Sequence, residues 1–157
     1  MDDTAPTRRA MRPADLSPRL AAIVAALPLR PGLRVLEIGC GPGAAARAVA
    51  RLIGDGQVLA IDRSATAVAQ VQRGAADEIA TGRLIVRQAL VEDFVLEDGE
   101  APYDLAFAVR VGALDGRHPE AGRRALQRIA AALTPSGRLF IDGGNPLREV
   151  PLPGRSA

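Results

Sequence analysis

Val35-Leu36-Glu37-Ile38-Gly39-Cys40-Gly41-Pro42-Gly43 carries a short, largely apolar run straight into three alternate glycines. A short apolar run bounded by turn residues reads as a buried strand, and Ala44 to Ile53 reads as a helix. Strand, glycine turn and helix together open a βαβ unit.

Working outward, Leu16, Leu20, Ile23, Val24 and Leu27 fall on one helical face, and Pro28 to Gly32 ends that helix. On the other side, Gly54-Asp55-Gly56 turns the chain into a second strand, Val58 to Ile61, that ends at Asp62. Ser64 is placed to cap a helix reaching Ala80. A third strand is expected at Arg83 to Arg87, an acidic loop at Glu92 to Glu100, and a fourth strand at Tyr103 to Val109. A helix over about Glu120 to Leu133 follows. Thr134-Pro135-Ser136-Gly137 has Pro second and Gly fourth, which suits a turn, and it delivers a fifth strand at Arg138 to Ile141. Alternating strands and helices with short connections predict an α/β, Rossmann-like, doubly wound sheet, mainly parallel and of about five strands. The expected organisation is a flexible leader over 1–15, one ligand-binding domain over 16–142 and an irregular tail over 143–157.

Composition narrows the function. A chain of 157 residues fits one domain with one core. No window approaches the roughly 18 apolar residues of a membrane helix, and Met1 to Arg12 lacks the apolar stretch of a signal peptide, so no membrane partner and a cytoplasmic location are expected. A single cysteine, Cys40, excludes an internal disulfide and a multi-cysteine zinc site, and no metal is expected. All 20 basic residues are arginine, a skew that fits a GC-rich genome better than a function. Net charge is only +2 and aromatics are 3%, too few rings to stack unpaired bases, which argues against a nucleic-acid partner. The local excess of Arg8, Arg9, Arg12 and Arg19 reads as a solvated arm.

In an open α/β sheet, ligands bind beyond the carboxyl ends of the strands at the switch point in strand order, which places Glu37 to Gly43 at the centre of any site. Glycines there let backbone approach a ligand, and the helix that follows offers free N–H groups. Three readings compete. Gly39-x-Gly41-x-x-Ala44 also matches a dinucleotide fingerprint, which would make an NAD-dependent oxidoreductase. A triphosphate loop is excluded because no Gly-Lys-Ser/Thr follows. A purely structural turn leaves the acids Glu37 and Asp62 unexplained.

The stretch from Val35 to Gly43 resembles motif I of class I S-adenosylmethionine-dependent methyltransferases, the acidic-x-Gly-x-Gly-x-Gly pattern after an apolar strand. The resemblance covers roughly Gly32 to Asp142. It implies S-adenosyl-L-methionine as cofactor, held by Glu37, Gly39, Cys40, Gly41 and Gly43 at the loop and by Asp62 and Arg63 after strand two, with Asp62 accepting from the ribose hydroxyls. Glu37 favours this reading over a dinucleotide, because a pyrophosphate beside an acid is costly while a ligand with an ammonium and a sulfonium is not. Leu90, Val91 and Glu92 fall in the family's adenine loop, although Leu90 and Val91 stand where members commonly carry Asp followed by Ala. Arg110 is expected at the cofactor's methionine end or on an anionic acceptor, with a surface salt bridge as the alternative.

Methyl transfer from a sulfonium needs in-line positioning, and a base only where the acceptor holds a proton. Asp115 and His118, in the loop after strand four, are the candidates for that role. The family's Asn-Pro-Pro-Tyr type of motif is missing there, where Val109-Arg110-Val111-Gly112 stands, which argues against adenine-N6 and glutamine as acceptors. A small-molecule acceptor is expected. The family also adds a helix and an antiparallel strand pair after strand five, and the Pro-rich stretch Gly143 to Ala157 is expected to supply neither. Strand five would then be an exposed edge, inviting a homodimer or a partner protein, and a non-catalytic cofactor-binding or partner subunit stays open beside the enzyme.

Overall fold

The structure, a computed structural model, describes residues 16–155. The predicted leader, with Arg8, Arg9 and Arg12, lies outside the described residues. Arg19 lies within them and donates to Asp142 at 2.8 Å.

Helix α1 (Pro18–Ala26) starts where Ser17 Oγ accepts the Leu20 N–H at 3.1 Å. The chain then runs β1 (Arg34–Ile38), α2 (Ala44–Leu52), β2 (Gln57–Asp62), α3 (Ala65–Gly74), α4 (Ala76–Ala80), β3 (Leu84–Gln88), β4 (Tyr103–Ala108), α5 (Pro119–Ala132), β5 (Leu133–Asp142) and β6 (Leu147–Val150). The sheet order is β3-β2-β1-β4-β5-β6. All neighbours are parallel except β5 and β6. Because β1 lies between β2 and β4, the chain winds outward in both directions from it, and the switch point falls between β1 and β4.

Side chains of successive strand residues point to opposite faces, and the core divides accordingly. Val35, Val58, Ala60, Leu105 and Phe107 pack with α1, α2 and Val71 of α3 on one face. Leu36, Ile38, Leu59, Ile61, Leu139 and Ile141 pack on the other with α5 and with Val91 and Phe94 from the loop after β3. Both faces of the central strands are thus covered, as near-continuous apolar runs require. By the same alternation Glu37 and Asp62 fall on the α2 side, beneath the glycine loop.

Two expectations are corrected. The helix after Ser64 does not run unbroken to Ala80, because it ends at Gly74, a residue of poor helix propensity, and restarts after the buried Ala75. The tail is not irregular throughout, and the sheet has six strands: Leu147–Val150 pairs antiparallel with Leu139–Asp142. The prolines do not forbid this strand because they flank it, Pro146 in the turn before and Pro151 after. Leu152 then buries its side chain in the α5-side core and anchors the segment. Strand five is therefore not an edge, and the premise of a partner completing the sheet there falls with it. Among the described residues no helix is long and apolar enough to cross a membrane.

Candidate active site

The chain leaves β1 through Gly39 and Cys40, whose N–H groups both donate to the Ile61 carbonyl at 2.8 and 3.0 Å. Gly39, Gly41 and Gly43 all have left-handed φ, which L side chains rarely adopt. The crowding differs among them. A Cβ on Gly39 would meet Val111 Cγ2 at 2.7 Å, whereas one on Gly41 would meet nothing within 4 Å and would project into open space. Gly43 starts α2 without a side-chain cap, so the first-turn amides present partial positive charge to whatever lies above the loop.

Asp62, at the end of β2, braces this loop. Its Oδ2 accepts the Gly41 N–H and its Oδ1 the Ser64 N–H, both at 2.9 Å. Each oxygen keeps a lone pair for a further donor, and the residue is only partly buried. Glu37 differs. It is 3% exposed and its Oε1 has no hydrogen-bond partner. Burial first, and the charge of Asp62 second, push its pKa up to about 8. A buried carboxyl in this condition is short of a cation or a donor, which a ligand ammonium would supply. Cys40 is buried in the α2-side core, and burial, with Glu37 and Asp62 adding to it, pushes its thiol up to about 12. It packs; a helix N-terminus does not activate it.

At the end of β3, the Arg63 carbonyl accepts from Gln88 Nε2 at 3.1 Å and its side chain is exposed. Leu90 is 43% exposed, Val91 is buried, and Val91–Asp93 forms a single 3-10 turn. Asp93 is held by Arg124 of α5, so of the two acids in this turn Glu92 is the one without a partner among the described residues. An exposed leucine beside an unpaired acid suits the face and the amine edge of a flat heterocycle.

Beyond β4 and β5 opens a cleft of about 550 Å³ lined by Ala108, Arg110, Val111, Leu114, Asp115, Arg117, Ile141, Asp142, Gly143 and Arg148. Arg110 is the one non-glycine residue with positive φ among the described residues, and its N–H donates to Asp142 Oδ1 at 3.0 Å. Asp115 lines the cleft, but Arg117 occupies it through a backbone N–H at 3.0 Å and Nε at 2.7 Å. Those contacts, the backbone hydrogen bond first, hold its carboxyl below the usual range, which leaves it a weak base. His118 is exposed at the start of α5 and does not line the cleft. Asp142, Gly143 and Arg148 escaped the sequence reading as site residues. The signal for Asp142 was present, an acid at the carboxyl end of a strand, whereas Arg148 lay in a segment read as irregular.

A mainly parallel sheet, wound both ways from a glycine turn at its switch point, defines a Rossmann-like fold, in which ligands commonly bind beyond the carboxyl ends of the strands at that point. The chain belongs to the methyltransferase domain family, whose pattern matches residues 35–137. It is 38% identical over 133 residues to a protein-L-isoaspartate O-methyltransferase of Methylorubrum extorquens, covering 81% of this chain and 49% of that one. It is also similar to the crystal structure of a SAM-dependent methyltransferase from Geobacter sulfurreducens in complex with S-adenosyl-L-homocysteine. There the TM-score is 0.61 at 26% identity, over 81% of this chain and 48% of the other. The fold is shared with a SAM-dependent methyltransferase from Thiobacillus denitrificans, TM-score 0.63 at 24% identity, over 90% and 56% of the two chains. This chain spans about half the length of the curated relatives it matches.

Proposed function

We propose that this chain binds S-adenosyl-L-methionine over the glycine loop and directs its methyl group toward an acceptor in the cleft beyond β4 and β5. The observation that carries the reading is Glu37, a buried carboxyl with an unpartnered oxygen beneath a loop that is open above Gly41. When bound, the cofactor supplies an electrophilic methyl on a sulfonium. Glu37 then offers its carboxylate to an ammonium, Asp62 its spare lone pairs to hydroxyls, Leu90 an apolar surface and Glu92 an acceptor to an amine. A dinucleotide would set a pyrophosphate near Glu37 and gain none of this.

A small-molecule acceptor is supported by the cleft, whose volume lies within the roughly 300–1,000 Å³ usual for small-ligand sites. The names of the Methylorubrum relatives favour a second reading, a carboxylate of a protein. Asp115 and His118 enter the chemistry only where the acceptor has a proton to lose.

Calorimetry with S-adenosylhomocysteine and NAD, side by side, tests the reading. The homocysteine compound is expected to bind and NAD not to. Gly41→Val, which fills the open space above the loop, is expected to abolish binding. Retained affinity in a folded Gly41→Val protein would overturn the site.

A further inference from the structure

The cleft beyond β4 and β5 holds three arginines and two aspartates, and their charges do not cancel evenly. Asp115 is spent on Arg117, with Nε to Oδ2 at 2.7 Å. Asp142 is spent on Arg19 and on the Arg110 backbone N–H. That leaves the guanidinium groups of Arg110 and Arg148 without an ion-pair partner among the described residues, on a wall otherwise built from Ala108, Val111, Leu114 and Ile141. Both arginines are exposed at the cleft, and a concave, partly apolar wall focuses their field on what enters it.

We infer that Arg110 and Arg148 form an anion-binding subsite that selects methyl acceptors carrying a carboxylate or a phosphate. Both are placed by the fold. Asp142 holds Arg110 in its left-handed conformation by accepting its N–H. Arg148, on β6, pairs in register with Ile141 of β5, which sets it beside Ile141 and Gly143 on the cleft wall. Guanidinium forks bind such anions in bidentate fashion.

The methionine carboxylate of the cofactor is also an anion, but strand spacing separates the two. At about 4.8 Å per strand, β6 lies roughly 14 Å from β1 across β4 and β5. Arg148 is therefore remote from the glycine loop and serves the acceptor, while Arg110, two residues past the end of β4, the strand next to β1, stands between the two ligands. A carboxylate acceptor would be its own nucleophile and need no base, which agrees with a cleft in which Asp115 is tied up and His118 is absent.

This inference rests on the methyl-donor reading, so the test separates them. The protein is saturated with S-adenosylhomocysteine and titrated with succinate and, separately, inorganic phosphate, at low salt and then at raised chloride. Either probe is expected to bind and to weaken as chloride screens the site. Arg148→Ala and Arg148→Gln are each expected to lower probe affinity by about tenfold or more and to leave S-adenosylhomocysteine affinity within about twofold. Arg128→Ala, which removes an exposed arginine of α5 outside the cleft, is expected to change neither. If probe affinity is the same in the Arg148 variants, or falls equally in Arg128→Ala, the subsite is overturned while the donor reading stands. If S-adenosylhomocysteine does not bind the unmodified protein, the donor reading is what fails.

Discussion

Glu37 sets a conflict between stability and binding. Its carboxyl has an ordinary value of 4.5 and is raised to about 8 in the folded chain. Between those values the folded state keeps a proton that the unfolded state has lost, so stability falls as pH rises through the window and levels off above it. Glu37→Gln removes this burden. It is expected to stabilise the unliganded protein little near pH 5 and by an amount on the order of a few kcal/mol near pH 8. Urea denaturation at the two pH values measures this, and an equal gain at both would refute it. The same variant is expected to lose affinity for S-adenosylhomocysteine, since an amide gives an ammonium no counter-charge. Asp62→Ala is expected to weaken that affinity by about 1.5–3 kcal/mol, the scale of hydrogen bonds to a charged group, and also to loosen the loop by depriving Gly41 and Ser64 of an acceptor. Calorimetry checks it, and a change under twofold would remove Asp62 from the site. Glu37, Asp62 and the three glycines were legible because their meaning is local, an acid or a glycine at a strand end. The bond from Asp62 to the Gly41 N–H was not, because it crosses 21 positions of sequence and exists only once β1 and β2 pair.

At the scale of elements, β1 to β4 stand within a residue or so of the predicted boundaries; β1, β2 and β4 are buried on both faces and leave unambiguous apolar runs, while β3, a half-buried edge strand, is marked by the Thr81-Gly82 break before it. β5 starts earlier than expected. Leu133 pairs with Tyr103 and Arg138 with Leu105, so Thr134 to Ser136 bulge out of the strand, and the predicted turn is an interruption within it. β6 was illegible for another reason. An edge strand of four residues needs few apolar positions, and Leu147-Arg148-Glu149-Val150 shows no period among prolines that suggest a coil. What fixes it is tertiary, the β5 ladder and the burial of Leu152 against the α5 side. Leu152→Ala is therefore expected to cost about 2–3 kcal/mol, toward the low end for a core leucine because the site is at the rim. Equilibrium unfolding measures it; a loss under about 0.5 kcal/mol, the range of ordinary surface substitutions, would return the segment to an unanchored tail.

Across the whole molecule, the fold sets its buried acid, its open glycine loop and two arginines without an ion-pair partner among the described residues at one end of the sheet, and on the proposed reading a ligand satisfies what the core does not. Stability and occupancy are then linked. A ligand that binds only the folded state at a hundred times its dissociation constant adds about 2.7 kcal/mol. For a chain of this length each kcal/mol moves the melting temperature by roughly 2–4 °C, so S-adenosylhomocysteine at that excess is expected to raise it by about 5–10 °C. NAD at the same concentration is expected to leave it unchanged. The gain also carries a pH signature. An ammonium pairs with the ionised form of Glu37, so binding below about pH 8 must expel the proton that burial has retained there. Affinity is expected to rise from pH 6 toward pH 8, where Glu37 ionises without the ligand's help. In Glu37→Gln the rising limb is expected to vanish. Melting curves with and without ligand, in both proteins at steps across pH 6 to 9, test this as one data set. A rising limb of equal steepness in Glu37→Gln would mean that another group titrates with the ligand, and that Glu37 is buried beneath the loop without serving it.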